Sequence, residues 1–293
     1  MTESRSTLPA VVRRGKILEI IVQHGFARVS ELSARFGTSE VTIRCDLDAL
    51  SDAGVIQRVH GGAITSPAAG AGQAGSVSQR GLERPFELSA LAATDEKARI
   101  GATAAGFIRS GQAIMLDVGT TTTAIARAML ARKDLDDVVV ITNALNIALS
   151  LEPAIPRFTV VVTGGTLRPL QHSLVDPLAG AVLSQIRADI AFIGCSGVDP
   201  VAGVTNVNLP EADLKRRMIS AAARSVVVAD SSKLGIAQLS RVVPISEIDT
   251  LVTGAEGDEH QLQLLRAVGL TVVIADRDDA CGGAETLSRR SLG

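Results

Sequence analysis

From about Thr94 to Ala275, short runs of Val, Ile, Leu and Ala keep returning with helical stretches between them, and few folds satisfy that alternation. The runs are "AIMLDV", "DVVVIT", "FTVVVTGG", "DIAFIGC", "SVVVAD", "TLVTG" and "TVVIA". Ahead of the first, "DEKARIGATAAGFIRSG" reads as a helix that stops at Gly111; later helical stretches include Ala124 to Leu130 and Asp213 to Ala223. Strands that are apolar on both faces and alternate with helices predict an α/β domain whose largely parallel sheet is covered on both sides. In open sheets of this kind ligands bind in the crevice beyond the carboxyl ends of the strands. The polar residues that follow each run are therefore the candidates for a site.

The first strand end is "DVGTTTTAIA". Asp117 stands at the exit, Gly119 permits a tight turn, and Thr120 to Thr123 lead into a helix. Free backbone N–H groups and hydroxyls converging there would bind an anion. A threonine N-cap with exposed neighbours accounts for the same residues, and the stretch alone does not choose between the two. It lacks the Gly-Lys-Ser/Thr of a nucleotide P-loop. Further strand ends offer Asn143 in "ITNALN", Gly164, Gly165 and Arg168 in "VTGGTLRP", and Asp230 and Lys233 in "ADSSK". "NLPEADLKRRM" adds Glu211 and Lys215, although Asn208 with Glu211 also fits a helix cap, and Glu211 with Lys215 a pair on a helix surface. Asp230 could likewise cap a turn. Caps alone explain poorly why polar groups gather at so many strand ends.

With 293 residues the chain has room for two domains. It contains no Trp, no Tyr and six Phe, so a small ligand would be held by hydrogen bonds and charge rather than on aromatic faces. No apolar run approaches the roughly 18 residues of a membrane span, and the N-terminus lacks a signal-peptide core. Three scattered cysteines suit a reducing cytoplasm, and four histidines without ligand spacing predict no metal site. No cofactor is expected.

Residues 1–60 hold eight Lys and Arg against seven Asp and Glu, so overall charge does not mark a nucleic-acid binder. The pattern is more telling. "RRGKILEIIVQHG" carries Ile17, Ile20, Ile21 and His24 at helical spacing and ends at Gly25. "SELSARFG" reads as a second helix with Ser30 as N-cap and Gly37 as stop. "TSEVTIRCDLDALSDAG" reads as a third, capped by Ser39 and ended by Gly54. Ile43, Leu47 and Leu50 share one face of it; Val41, Thr42, Arg44, Cys45 and Asp48 lie opposite. Two short helices joined by a glycine turn place the second in a DNA major groove, with its N-terminal half (Ser39, Thr42, Arg44) toward bases and phosphates. "VIQRVHGGAI" follows as a β-prone wing bearing Arg58 and His60. A small helical protein-binding module would show much of the same periodicity.

"SEVTIRCDLDAL" followed by "GVIQRVHGGAI" closely resembles the winged helix-turn-helix of the DeoR family of bacterial transcriptional regulators. That resemblance implies binding to double-stranded operator DNA, usually as a repressor, with the helix-turn-helix at about residues 27–46 of a domain spanning 1–65. Members usually carry two consecutive arginines where this chain has Arg44-Cys45. "SPAAGAGQAGSVSQRG" then reads as part of a flexible linker over 66–84. "LDVGTTT", "TNALNIAL", "TGGTLRP", "EADLKRRMI" and "ADSSK" are similar to landmarks of the family's C-terminal sensor domain, placed here at 85–275 with a tail over 276–293. That domain is related in fold to ribose-phosphate isomerases and CoA transferases, and usually senses a phosphorylated sugar or related metabolite.

By matching positions, the resemblance implies that Gly119, Thr120, Thr121 and Thr122 hold the phosphate. Asp117, Asn143, Glu211, Lys215 and Lys233 line the rest, with Gly164 and Gly165 at the neighbouring strand end. Val118 and Ala144 stand where relatives often have serine. Two functions follow: a cytoplasmic, non-enzymatic repressor of carbohydrate-metabolism genes, working as a homodimer or homotetramer, or an isomerase-like enzyme with Asp117 or Glu211 as base. The N-terminal domain favours the regulator, because an isomerase has no evident use for it.

Overall fold

The structure, a computed structural model, describes residue 8 and residues 10–52, 55–59, 61–65 and 83–276. His60, Gly54, residues 66–82 of the expected linker and residues 277–293 of the expected tail lie outside the described residues. The described chain divides into two units, residues 8–65 with 84–92, and residue 83 with 93–276.

The first unit contains helix α1 (Ala10–His24), strand β1 (Phe26–Arg28), helices α2 (Val29–Phe36) and α3 (Glu40–Asp52), strands β2 (Ile56–Val59) and β3 (Gly62–Thr65), and helix α4 (Phe86–Leu91). The strands form an antiparallel sheet in the order β1-β3-β2. Ile17, Leu18 and Ile21 of α1, Leu32 of α2 and Ile43, Leu47 and Leu50 of α3 are buried together, and Leu88 and Leu91 of α4 pack against that core. Gly25 and Gly37, with φ of 74° and 59°, end α1 and α2 in the left-handed region, where a side chain would be strained.

Ser30 does not cap α2. Arg28 takes the cap position and the helix starts at Val29, two residues earlier than a Ser30 cap would set it; Val29 is buried and its N–H donates to the Gly61 carbonyl at 3.0 Å. Ser39 does cap α3, accepting the Thr42 N–H at 3.2 Å. The two wing glycines have separate jobs. Gly61 turns with φ 78°, while a Cβ on Gly62 would stand 2.3 Å from the Ala27 carbonyl oxygen, so only glycine lets β3 lie beside β1. On the core side of α3, Asp46 is buried and accepts from Arg13 Nε at 2.5 Å and Arg14 Nε at 2.9 Å, locking α3 to α1.

The second unit begins with α5 (Thr94–Ala105), β4 (Ala113–Leu116), α6 (Thr120–Ala131), β5 (Val138–Thr142), α7 (Leu145–Leu151) and β6 (Phe158–Val162). It continues through a hairpin of β7 (Thr166–Arg168) and β8 (Ser173–Val175), then α8 (Leu178–Leu183), β9 (Ala188–Gly194), β10 (Gly197–Asp199), β11 (Gly203–Asn206) and α9 (Leu209–Ser220). The last elements are β12 (Ala222–Val228), β13 (Ser240–Val243), β14 (Thr250–Gly254), α10 (Glu259–Ala267) and β15 (Thr271–Ala275).

All seven apolar runs form strands of one sheet, ordered β15-β14-β12-β9-β4-β5-β6, and every pairing in it is parallel. The period of two sorts the strand side chains between two cores. Ile114, Leu116, Ile190, Phe192, Val226 and Val228 face one core with residues of α5, α6 and α7; Met115, Ala191, Ile193 and Val227 face the other with α8, α9 and α10. A Cβ on Gly101 of α5 would meet the Ala124 backbone of α6 at 2.6 Å, which sets how closely those helices cross.

Two helix expectations need correction. α5 ends at Ala105, not Gly111: Gly106 caps it, Ile108 turns into the core, and Gly111 serves a separate turn before β4. α9 covers 209–220 rather than 213–223, because Ala222 already pairs with Ala188 in the sheet. The β7–β8 hairpin and the antiparallel sheet β10-β11-β13 were not anticipated.

Candidate functional site

The sheet is built outward from β4 to β6, returns to lay β9 on the other side of β4, and grows outward again to β15. The carboxyl ends of β4 and β9 are thus the point where strand order reverses, the position at which a crevice opens in such sheets. Asp117 follows β4 there and is fully buried. Its Oδ2 accepts from the Gly194 N–H at the end of β9 at 3.1 Å and from Lys215 Nζ. Its Oδ1 is buried with no hydrogen-bond partner.

Next to it, Asn143 at the end of β5 accepts the Val118 N–H on Oδ1 at 3.0 Å, and that bond leaves its buried Nδ2 without a partner. An unmatched buried polar group costs about 1–3 kcal/mol. One orphan acceptor and one orphan donor around the same peptide are what a polar ligand would satisfy. Burial drags the Lys215 ammonium down, but the Asp117 and Glu211 carboxylates outweigh it and hold the group above its ordinary value. Burial pushes the Asp117 carboxyl up, against the pull of that same ammonium.

Glu211 and Lys215 are not a pair on a helix surface. Both are buried, and they turn to different partners. Glu211 Oε1 accepts from Arg168 and from Ser173 Oγ at 2.6 Å, and Oε2 from Asn206 Nδ2 at 3.4 Å. Arg168 reaches on to Glu83 at 2.6 Å. Asn208 caps α9 as anticipated, accepting the Glu211 N–H at 3.1 Å. Ser173 and Asn206 carried no signal in the sequence, since both lie on strands of three or four residues with no periodicity to read.

Thr121, Thr122 and Thr123 are buried and Thr120 half-buried. The hydroxyls of Thr122 and Thr123 donate to the Gly119 carbonyl at 2.9 and 2.7 Å instead of converging outward. What the turn presents is therefore the first backbone N–H groups of α6, which have no acceptor within the helix. Gly165 has φ 119°, and a Cβ there would stand 2.2 Å from the Val175 carbonyl oxygen, so packing alone requires it; Gly164, φ 70°, faces open space. Lys233 is half-buried in a single turn after β12, which Asp230 caps at the Ser232 N–H. Cys195, just after β9, has its thiol pushed up to about 12 by burial.

In the first unit, Val41, Arg44, Cys45 and Asp48 are exposed and Thr42 half-buried, opposite the buried Ile43, Leu47 and Leu50. Ser39 Oγ and Thr42 Oγ1 lie 2.9 Å apart. Arg44 bonds Glu40 at 2.8 Å, while Arg58 of β2 bonds Asp48 at 2.6 Å and the Arg44 carbonyl at 3.1 Å.

A winged helix-turn-helix unit joined to an α/β unit with a buried polar cluster at its strand-order reversal defines a two-part transcriptional regulator. The DeoR C-terminal sensor domain matches residues 92–255, and the DeoR-like helix-turn-helix domain matches residues 13–67. The chain belongs to the DeoR family. It is 33% identical to the HTH-type transcriptional regulator GlpR of Haloferax volcanii, over 91% of this chain and 98% of that one. It is 34% identical to the putative aga operon transcriptional repressor of Escherichia coli O157:H7, over 89% and 93%. Identity to the glycerol-3-phosphate regulon repressor of Escherichia coli K12 is 29%, over 86% and 94%.

Among solved structures, ribose 5-phosphate isomerase A of Methanocaldococcus jannaschii aligns over 48% of this chain and 54% of its own, at 18% identity and a TM-score of 0.36. The probable sor operon regulator of Shigella flexneri aligns over 59% and 90%, at 13% and 0.38. The relatives are named as regulators of transcription, and this chain is a DNA-binding regulator of transcription rather than an enzyme. No helix among the described residues is long and apolar enough to cross a membrane.

Proposed function

We propose that the chain represses genes of carbohydrate metabolism, and that a phosphorylated sugar or related metabolite modulates its grip on operator DNA. Ser39, Thr42, Arg44, Arg58 and His60 meet the DNA. The effector lies at the strand-order reversal. Its phosphate sits on the first turn of α6, at Gly119, Thr120, Thr121 and Thr122. Asp117, Asn143, Glu211, Lys215 and Lys233 hold its hydroxyls, with Gly164 and Gly165 shaping the side of the pocket.

The observation that carries this reading is the pair of buried, partnerless atoms, Asp117 Oδ1 and Asn143 Nδ2, beside the open N-terminus of α6. A relative named for a glycerol-3-phosphate regulon adds support for a phosphorylated ligand. The protein acts in the cytoplasm as a homodimer or homotetramer, since two-fold operators call for paired winged domains. The linker at about residues 66–84 leads into α4, which packs on the winged unit, and the sensor unit begins near residue 93.

Fluorescence anisotropy on duplexes from upstream of its own gene, at fixed salt and against an unrelated duplex, tests the reading with a panel of sugar phosphates. Selective binding weakened by one phosphate, by the roughly 5- to 150-fold of typical couplings, is the expected result. Binding indifferent to every phosphorylated ligand would remove the effector; turnover of one would restore an enzymatic role.

A further inference from the structure

Along the outer side of α3, Glu40, Arg44 and Asp48 follow one another at intervals of four residues, forming an acid–base–acid stripe on one helix face. β2 then lays Arg58 across its end. The side chains are open to solvent: 47% of Glu40, 54% of Arg44, 61% of Asp48 and 31% of Arg58 is exposed. Yet both arginines are already engaged. Arg44 bonds Glu40, and Arg58 bonds Asp48 and the backbone of Arg44. The Ser39 and Thr42 hydroxyls are likewise turned to each other. The polar groups best placed to touch a duplex are internally matched, and the four charges sum to zero.

We propose that Glu40 and Asp48 are specificity-determining residues, which keep Arg44 and Arg58 in internal ion pairs so that only DNA offering well-placed acceptors can extract them. The inference rests on the DNA-contacting role of this face. Non-specific affinity comes from net positive charge displacing counterions from phosphates, and a neutral stripe supplies little. An exposed pair of this kind favours its bonded state by only about twofold, so a bidentate guanine or phosphate contact readily wins the arginine. On any other duplex the arginines stay in their internal pairs. Glu40 and Asp48 thus act chiefly against the wrong sequences.

The test uses the full chain, with anisotropy titrations between about 50 and 200 mM salt. One probe is an unrelated mixed-sequence duplex; the other is the tightest-binding duplex that the wild-type protein selects from sheared genomic DNA. Glu40→Gln and Asp48→Asn should each tighten the unrelated duplex about two- to threefold at the low-salt end. The slope of log affinity against log salt should steepen by up to about 0.9. The selected duplex should gain less, so the ratio between the two falls.

In an Arg44→Gln background the gain from Glu40→Gln should vanish, as should that from Asp48→Asn in Arg58→Gln, because each acid then has no arginine to hold. Unchanged affinity and slope on the unrelated duplex would overturn the proposal. So would a gain that persists in the arginine-free backgrounds, which would reduce the carboxylates to plain repulsion. A wild-type protein that binds neither duplex would instead remove the DNA-contacting role itself, before any variant is compared.

Discussion

Glu40 with Arg44 and Glu211 with Lys215 have the same spelling, an acid four residues ahead of a base on a helix, and the molecule uses them in opposite ways. On α3 the two side chains are half-exposed and bond each other. On α9 both are buried, and each leaves the other for a partner elsewhere in the chain: Lys215 for Asp117, 98 residues away, and Glu211 for Arg168, 43 away. Spacing sets which side chains could meet; burial sets what they must meet. A surface pair can dissolve into water at little cost, whereas a buried charge needs a partner wherever the fold can supply one.

Breaking the buried member should have the largest effect. Lys215→Met leaves the Asp117 carboxylate uncompensated and should cost the second unit about 3–5 kcal/mol in urea unfolding; a loss below 1 kcal/mol would erase the contrast with α3. Asp46→Asn asks whether burial or location decides. That residue sits on α3 too, but on the core side, where it satisfies Arg13 and Arg14. Its loss should cost about 2–3 kcal/mol, read as a drop in the first unit's melting temperature.

Titration sharpens the same difference. The Lys215 ammonium is held above its ordinary 10.5 by the Asp117 and Glu211 carboxylates. The stability it brings is whole below 10.5 and drains away as pH rises through its folded value. The stability gap between wild type and Lys215→Met should therefore narrow as the buffer is taken above pH 10.5. On the acid side the variant should recover. Burial then acts on Asp117 without an opposing cation, and an acid whose folded value is raised gains stability as pH falls. The smallest effect belongs to the surface: a double-mutant cycle on Glu40 and Arg44 should give a coupling of about 0.3–0.5 kcal/mol to folding, lost in high salt.

The same logic explains what could be read in advance. Seven continuous Val/Ile runs became seven parallel strands because a strand buried on both faces leaves no polar alternation to confuse it. The outward side of α3 was legible from the periodicity of Ile43, Leu47 and Leu50. The strand ends flagged Asp117, Asn143, Glu211 and Lys215, but not how they pair, since i,i+4 spacing cannot tell an inward from an outward face. Ser173 and Asn206 escaped because strands this short carry no pattern. Asp46 did leave a signal: it falls beside Ile43 and Leu50 on the apolar face, where an acid requires a cation. The four threonines of the opening strand end were the least legible. Two of their hydroxyls fold back on Gly119, a local choice that composition does not reveal.

The order of strands also has a consequence for birth. β4 ends in the middle of the sheet, but a chain leaving the ribosome makes β5 and β6 next, and both lie to one side of it. Its other flank is completed only by β9, about 70 residues later. At translation speeds of about 5–20 residues per second, a nascent chain shows that bare, apolar edge for roughly 4–14 s. The strand that delivers Asp117 is thus the stickiest part of the unfinished molecule, and fragments that stop short of Gly194 should clump where the finished chain does not.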